Sequence, residues 1–527
     1  MRVVRALAVT MPLAMALTGL VAAPGRAAGP APGRSADRGV RSEGAPAALQ
    51  DQSPTWSECY PARGAPELRC ARVRVPLDWA KPNGVTITLA VSRVTASDAS
   101  RRRGVLFTNP GGPGGPGLTL SLYLARARKD VAAAYDIVGM DPRGVGASAP
   151  RLECAPPSLL ADLYGLDGRD VSAANQSRFA ELDRRYATTC ASEPLARYLT
   201  TDHIARDLDL IRAVLGERKI SYVGYSAGTW LGARYAALFP QHVDRFVLDG
   251  NLDFTAPGYS SARRQPKGFQ RSFEKYLLPW IADHDDRYGL GSSADDVEKV
   301  YESRRAALAA EPLALGGGRE LTAAAYDSGI VGGLYWTGLY EKTATALAVV
   351  ERYAGATRAE KQVVADVFGN SSALGADAFW TISCQDDRVP SYRQVVADTD
   401  RFRTKYPLAG ANWNVFPCSF WPGDPKRSPV RGSELPQLLM INNDADPATP
   451  LANAEAARAA VPRARLVTVE DQPDHTVYGR GDACVDDVAD AWLLDGNLPD
   501  EDLTCPGLPL PEPGQAVLTD PPDPPSS

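Results

Sequence analysis

The sequence predicts an α/β fold whose core is interrupted by a mostly helical cap. Three observations carry this expectation. Short apolar runs, each followed by a loop or helix, recur early and late in the 527-residue chain, as the buried strands of a parallel sheet do. The segment Ser221–Pro240 (S-Y-V-G-Y-S-A-G-T-W-L-G-A-R-Y-A-A-L-F-P) passes from an apolar strand through a Gly-flanked turn straight into a helix. From about Thr255 to Arg431 the strand–helix alternation gives way to helical patterns alone.

In chain order, Met1–Ala28 opens with Arg2 and Arg5, runs through an apolar stretch to Ala23 and ends in small residues. It reads as a secretory signal peptide cleaved between Ala23 and Ala28, too short and too poorly flanked for a membrane anchor. Residues 29–50 are rich in Pro, Gly, Ala and Arg without periodicity, the composition of a disordered leader or pro-segment. Residues 51–254 form the first part of the core. There, alternating Ala71–Val75 and Val85–Val94 flank Pro82-Asn83-Gly84 as a hairpin. Buried strands follow at Gly104–Thr108, Tyr135–Met140, Ile220–Gly224 and Arg245–Asp249, with helices at Asp202–Leu215 and Ala227–Leu238 as crossovers. The cap spans 255–431 and includes helical patterns at Ala294–Ala310 and Lys342–Tyr353. The core resumes over 432–507 with strands at Leu438–Asn442 and Arg465–Val469 and a helix from Cys484 to Leu494; a Pro-rich tail occupies 508–527.

A net charge of −6 without a basic patch argues against nucleic acid as a partner, and no later stretch is apolar enough to span a bilayer. Export permits disulfides. The eight cysteines fall into four close couples, and neighbour pairing is the simplest connectivity: 59–70, 154–190, 384–418 and 484–505. None forms a C-x-x-C pair, so no metal site is expected, and no cofactor motif is present.

Gly224-Tyr225-Ser226-Ala227-Gly228 has the form of a nucleophile elbow, the strand–turn–helix of the α/β-hydrolase fold, with Ser226 at its apex. A serine nucleophile needs a base, and the chain has only four histidines. His203 precedes the serine on a helix, against the Ser…Asp…His order of this fold. His242 lies in a bend and His284 in a charged stretch of the cap. His475 stands in the loop between the last predicted strand and the final helix, where it reaches over the sheet towards Ser226. The orienting acid has three candidates at or after strand ends: Asp446, Asp249 and Asp444, with Asp446 favoured because its strand immediately precedes the one that delivers His475. The Gly-rich loop after Gly104–Thr108 brings a backbone N–H, that of Gly112, towards the developing oxyanion, beside the N–H of Ala227.

Five motifs in order resemble the secreted tripeptidyl aminopeptidases of actinomycetes, serine peptidases related to proline iminopeptidase. They are N-P-G-G-P-G-G-P-G at Asn109–Gly117, D-P-R-G-V-G-A-S at Asp141–Ser148, G-Y-S-A-G-T at Gly224–Thr229, D-P-A-T-P at Asp446–Pro450, and the late His475. The resemblance runs from about Trp56 to Cys505. It implies that the acid is Asp446, and that the enzyme removes short peptides, three residues long, from free N-termini, with proline tolerated or preferred at the cleavage side. The family's leading Gly of the acid motif is Asn443 here, and its Gly-flanked histidine is P-D-H-T, with Asp474 and Thr476 around His475. A cleft that measures from a free amine needs a carboxylate in the cap, for which Asp386 and Asp387 are the candidates. The expected protein is thus extracellular and monomeric, acting on peptide or protein N-termini. A carboxylesterase or lipase, or a prolyl aminopeptidase, would share the same triad, whereas an inert binding protein of this fold would have lost part of it.

Overall fold

The computed structural model describes residues 40–59, 65–369, 375–387, 389–423, 425 and 430–515. The predicted signal peptide, the first part of the leader and the end of the Pro-rich tail lie outside these residues. Twelve strands occur among them: β1 (Ser57–Glu58), β2 (Leu68–Pro76), β3 (Thr86–Val94), β4 (Gly104–Asn109), β5 (Tyr135–Met140), β6 (Ile220–Tyr225), β7 (Val243–Asp249), β8 (Leu313–Gly316), β9 (Arg319–Leu321), β10 (Leu438–Asn443), β11 (Ala464–Glu470) and β12 (Leu503–Pro506). Ten of them form one sheet in the order β1-β2-β3-β5-β4-β6-β7-β10-β11-β12. The β2–β3 hairpin and β1 join antiparallel at one edge, and every pair from β5 to β12 is parallel.

The central parallel strands are largely apolar because both sheet faces are covered there. Alternate residues enter different cores: Phe107, Tyr222, Leu248 and Met440 on one face, Leu106, Val223, Val247 and Ile441 on the other. β4, β5, β6 and β10 are buried along their whole length. Each βα connection therefore opens at the carboxyl edge of the sheet, where Ser226, Asp249, Asp446 and His475 collect.

Between β7 and β10 the described residues are mostly helical, as expected, apart from the small β8–β9 hairpin, which the pattern did not show. The stretch has its own core of aromatic residues, among them Phe273, Trp280, Tyr301, Tyr326 and Tyr340. Two helices that the sequence reading overlooked, Pro157–Gly165 and Ala173–Ser192, pack against it: Trp380 Nε1 donates to Tyr164 Oη at 2.9 Å, and Tyr186 Oη donates to Asp377 at 2.9 Å. The roof of the site is thus built from two chain segments. Asp377 ties them further by accepting the N–H groups of Cys154 (2.8 Å) and Ala155 (3.2 Å).

All four disulfides follow neighbour pairing, Cys59–Cys70, Cys154–Cys190, Cys384–Cys418 and Cys484–Cys505. One expectation needs correction. Residues 40–50, expected to end a disordered leader, are packed: Leu49 enters the core, a short helix forms at Ala47–Gln50, and the buried Arg212 donates to the carbonyls of Val40 and Arg41. The described part of the Pro-rich tail is irregular but held to the cap, where Trp280 Nε1 donates to the Pro511 carbonyl at 2.8 Å and Gly514 N–H to Glu341 at 2.8 Å. No helix among the described residues is long and apolar enough to cross a membrane.

Candidate active site

Ser226 sits between β6 and the helix Ala227–Leu238 with φ 55° and ψ −126°. An L-residue reaches this region only under constraint. The constraint is packing. A Cβ on Gly224 would lie 2.5 Å from the Gly228 carbonyl oxygen, and one on Gly228 would lie 2.7 Å from that of Asn109, so neither position admits a side chain. Ser226 N–H donates to the Asp249 carbonyl at 2.8 Å, and its own carbonyl accepts from Thr229 N–H (2.9 Å) and Thr229 Oγ1 (2.6 Å). The apex residue is thereby pinned from the neighbouring strand and from the first helical turn.

The Gly-rich loop lies directly on this elbow. A Cβ on Gly111 would be 2.5 Å from the Tyr225 carbonyl oxygen and 2.7 Å from Ala227 N. Gly112 and Ala227, the two expected oxyanion donors, line the same cavity as Ser226. The D-P-R-G-V-G-A-S segment, read from sequence only as a family mark, proves to be the clamp on this loop. Asp141 accepts the N–H groups of Gly117 (2.9 Å), Leu118 (3.3 Å) and Ala147 (2.8 Å). Arg143, fully buried, forms a two-pronged pair with Asp207 at 2.8 and 2.6 Å and donates its remaining hydrogens to the carbonyls of Pro76, Leu77 and Tyr198. A buried ion pair of this kind tolerates no loss of either partner, because the other charge would be stranded.

His475 and Asp446 come together as the spacing predicts. His475 Nδ1 lies 3.0 Å from each carboxylate oxygen of Asp446, both side chains being buried. Asp446 also accepts Ala448 N–H (2.9 Å), Thr449 N–H (2.7 Å) and Thr449 Oγ1 (2.8 Å), which fixes its plane. A carboxylate on Nδ1 keeps that nitrogen protonated and leaves the Nε2 lone pair for a proton on the far side. The end of β7 touches both sides of the site: the Asp249 carbonyl holds Ser226 N–H, and a Cβ on Gly250 would lie 3.2 Å from His475 Cε1. Thr449 is a supporting residue that could have been found from the T of D-P-A-T-P.

The two competing acids have other tasks. Asp249 turns its carboxylate to the N–H groups of Val477 and Tyr478, 2.8 Å each, and so anchors the loop that carries His475. Asp444 faces Arg271 at 3.4 Å and the Gln472 N–H. Nor do the other histidines approach the serine: Nδ1 of His203 meets Thr200 Oγ1 (2.8 Å), that of His242 the Arg218 carbonyl (2.8 Å), and that of His284 the Trp280 carbonyl (2.7 Å). The two departures from the family motifs are partners, since Asn443 Nδ2 donates to the Asp474 carbonyl at 2.7 Å.

Burial with one carboxylate oxygen unpartnered pushes Asp249 up to about 6. The folded chain then holds a proton that the unfolded chain has already lost, so Asp249 favours the fold at low pH, and that contribution is lost as pH rises through about 6. The span is worth about 3 kcal/mol. In Asp249→Asn the fall of the thermal midpoint between pH 4 and 6.5 is expected to be shallower than in the parent, as read by calorimetry across that range. An unchanged slope would mean that Asp249 does not titrate there.

Above the serine lies a cavity of about 740 Å³ walled by Trp230, Tyr259, Phe379, Trp380, Trp413 and Phe416. Asp386 and Asp387 also line it. Asp386 accepts Thr201 N–H (2.8 Å) and Thr201 Oγ1 at the start of the helix Thr201–Val214, and Asp387 accepts Gly258 N–H. Among the described residues, the other charged side chains on its wall are Lys342 and Asp366, paired at 3.3 Å.

The α/β-hydrolase fold model matches residues 104–316, and the TAP-like protein model matches residues 406–505, the segment that carries Asp446 and His475. Tripeptidyl aminopeptidase of Streptomyces lividans is 34% identical over 495 residues, covering 90% of each chain. The chain belongs to the tripeptidyl aminopeptidase family of α/β-hydrolase serine peptidases. It is also similar to the serine protease Hip1 of Mycobacterium tuberculosis, 30% identical with 85% of this chain and 90% of that one covered. Carboxylesterase B of the same organism is 31% identical over 91% of this chain and 95% of its own. Among solved structures, proline iminopeptidase of Mycobacterium smegmatis matches at 15% identity and a TM-score of 0.31, covering 77% of this chain and 91% of that one.

Proposed function

We propose that the protein is an exported serine exopeptidase that releases short peptides, three residues long, from free N-termini. His475 takes the proton of Ser226 as the serine attacks the scissile carbonyl. The N–H groups of Gly112 and Ala227 hold the oxyanion, while Asp446 orients His475 and stabilises its imidazolium. The imidazolium then protonates the leaving amine, and His475 activates the water that frees the peptide from Ser226. The predicted signal at Met1–Ala28 and the four disulfides support action outside the cytoplasm.

The observation that supports an exopeptidase is that Ser226 shares one largely apolar cavity with Asp386 and Asp387. A substrate ammonium entering such a cavity loses its water and needs a carboxylate to offset that loss. Both acids are held in place by backbone N–H groups, so they are oriented before substrate arrives. A volume of about 740 Å³ is in the range of a site for a ligand of tripeptide size.

N-acetylation of a tripeptidyl p-nitroanilide is expected to cost about a hundredfold in kcat/KM, the equivalent of about 3 kcal/mol. Asp386→Asn or Asp387→Asn, whichever acid meets the amine, should shrink that difference. Substrates with and without proline at the cleavage side belong in the same panel. The aromatic cavity wall and the carboxylesterase B relative favour a second reading, an esterase for apolar acyl groups. Equal turnover of free and acetylated peptides, with faster cleavage of a short-chain ester, would select that reading and reject the aminopeptidase.

A further inference from the structure

The loop that carries His475 does not hold itself in shape. Asp471 and Thr476 have φ of 52° and 68°, and a β-branched residue keeps such a conformation only where its surroundings impose it. The restraints come from two sides. From the core, Asn443 Nδ2 donates to the Asp474 carbonyl at 2.7 Å, and Asp249 accepts the N–H groups of Val477 and Tyr478.

From the cap, three consecutive residues between the helices Ala323–Gly333 and Tyr340–Glu351 each reach the loop. His475 N–H donates to the Tyr335 carbonyl at 2.7 Å, Trp336 Nε1 donates to the His475 carbonyl at 2.7 Å, and Thr337 N–H donates to the Asp474 carboxylate. Both backbone polar groups of His475 therefore end on the cap. The Tyr335 ring meets the imidazole edge-on at 5.5 Å, and Arg480, a few residues further along, lies over the Trp336 ring at 4.8 Å. Gly333, Tyr335, Leu339 and Lys342 of this same segment line the cavity.

We propose that the cap turn Tyr335–Thr337 is a positioning element for His475, so that the cavity wall and the base move as one unit. The inference rests on the triad reading above. A general base works only within hydrogen-bond reach of the proton it takes, and a displacement of about 1 Å costs on the order of a hundredfold. Sitting in a loop, His475 has no sheet or helix ladder to set its backbone, and Trp336 and Tyr335 supply that frame. The cap is then part of the catalytic apparatus as well as a cover over the substrate.

Trp336→Phe removes the indole N–H but keeps a ring under Arg480. Two readouts separate positioning from binding: kcat and KM on a tripeptidyl p-nitroanilide, and the rate at which a small fluorophosphonate labels Ser226, which needs the base but few peptide contacts. The variant should lose about tenfold in kcat and in labelling rate together, with KM within about twofold of the parent and an unchanged thermal midpoint. Asp474→Ala should show the same parallel loss, and Asp474→Asn, which keeps an oxygen for Thr337 N–H, should restore most of it; this pair carries the test should Trp336→Phe fail to fold. A raised KM with unchanged labelling would make the turn a wall only and overturn the proposal. Undiminished labelling in His475→Ala would instead overturn the triad reading itself.

Discussion

Ser226→Ala and His475→Ala are each expected to abolish turnover, with a loss of about 10⁶ in kcat, because the residues of such a triad act as a unit and removing one forfeits nearly all that the set supplies. The reason is visible in the geometry. The elbow holds the serine at φ 55°, imposed by the close packing at Gly224 and Gly228, and its side chain caps no helix. Ser226→Ala should therefore leave the thermal midpoint unchanged while removing the oxygen proposed to form the acyl-enzyme. His475→Ala leaves the nucleophile in place without a group to take its proton. Steady-state assays on a tripeptidyl p-nitroanilide, together with mass spectrometry after fluorophosphonate treatment, would check both. Turnover within about tenfold of the parent in either variant would overturn the assignment.

Asp446→Asn is expected to cost about 10⁴ in kcat, the scale for a triad acid replaced by its amide. The amide can turn its NH₂ group towards His475 Nδ1. That nitrogen then accepts instead of donates, and the proton moves to Nε2, where the serine needs a lone pair. Asp249→Asn should cost less than about tenfold, since an amide oxygen still accepts the N–H groups of Val477 and Tyr478 that position the loop. The ranking is the decisive quantity, because Asp249 ends β7, Asp446 follows the end of the neighbouring β10, and both carboxylates are buried. A larger loss in Asp249→Asn than in Asp446→Asn would transfer the role of acid from one strand to the other.

Much of this protein was legible in the chain because local rules govern it. Apolar runs buried on both faces mark parallel strands wherever they occur, and β5 was read to the residue. The elbow depends only on five consecutive residues, with Gly224 and Gly228 leaving room two positions either side of Ser226. Scarcity selected His475 from four histidines, and four close cysteine couples left neighbour pairing as the simplest choice, which the fold adopts. The sequence by itself therefore determined the sheet, the elbow that carries Ser226, the choice of His475 as candidate base and the covalent frame.

The tertiary structure decided which groups face one another across long stretches of chain. Asp249, Asp444 and Asp446 look alike in sequence, and only the direction in which each strand end turns its side chain separates a loop anchor, a partner for Arg271 and a partner for His475. The helices Pro157–Gly165 and Ala173–Ser192 escaped notice because nothing local announces that they join a roof built mainly from residues two hundred positions later. The contact between Trp336 and His475 spans 139 residues, and the hydrogen bond of Asn443 to Asp474 spans 31. Periodicity reports which face of an element is buried. The partner that buries it, and hence the surroundings that hold His475 on its acid, is chosen only when the helices and strands pack.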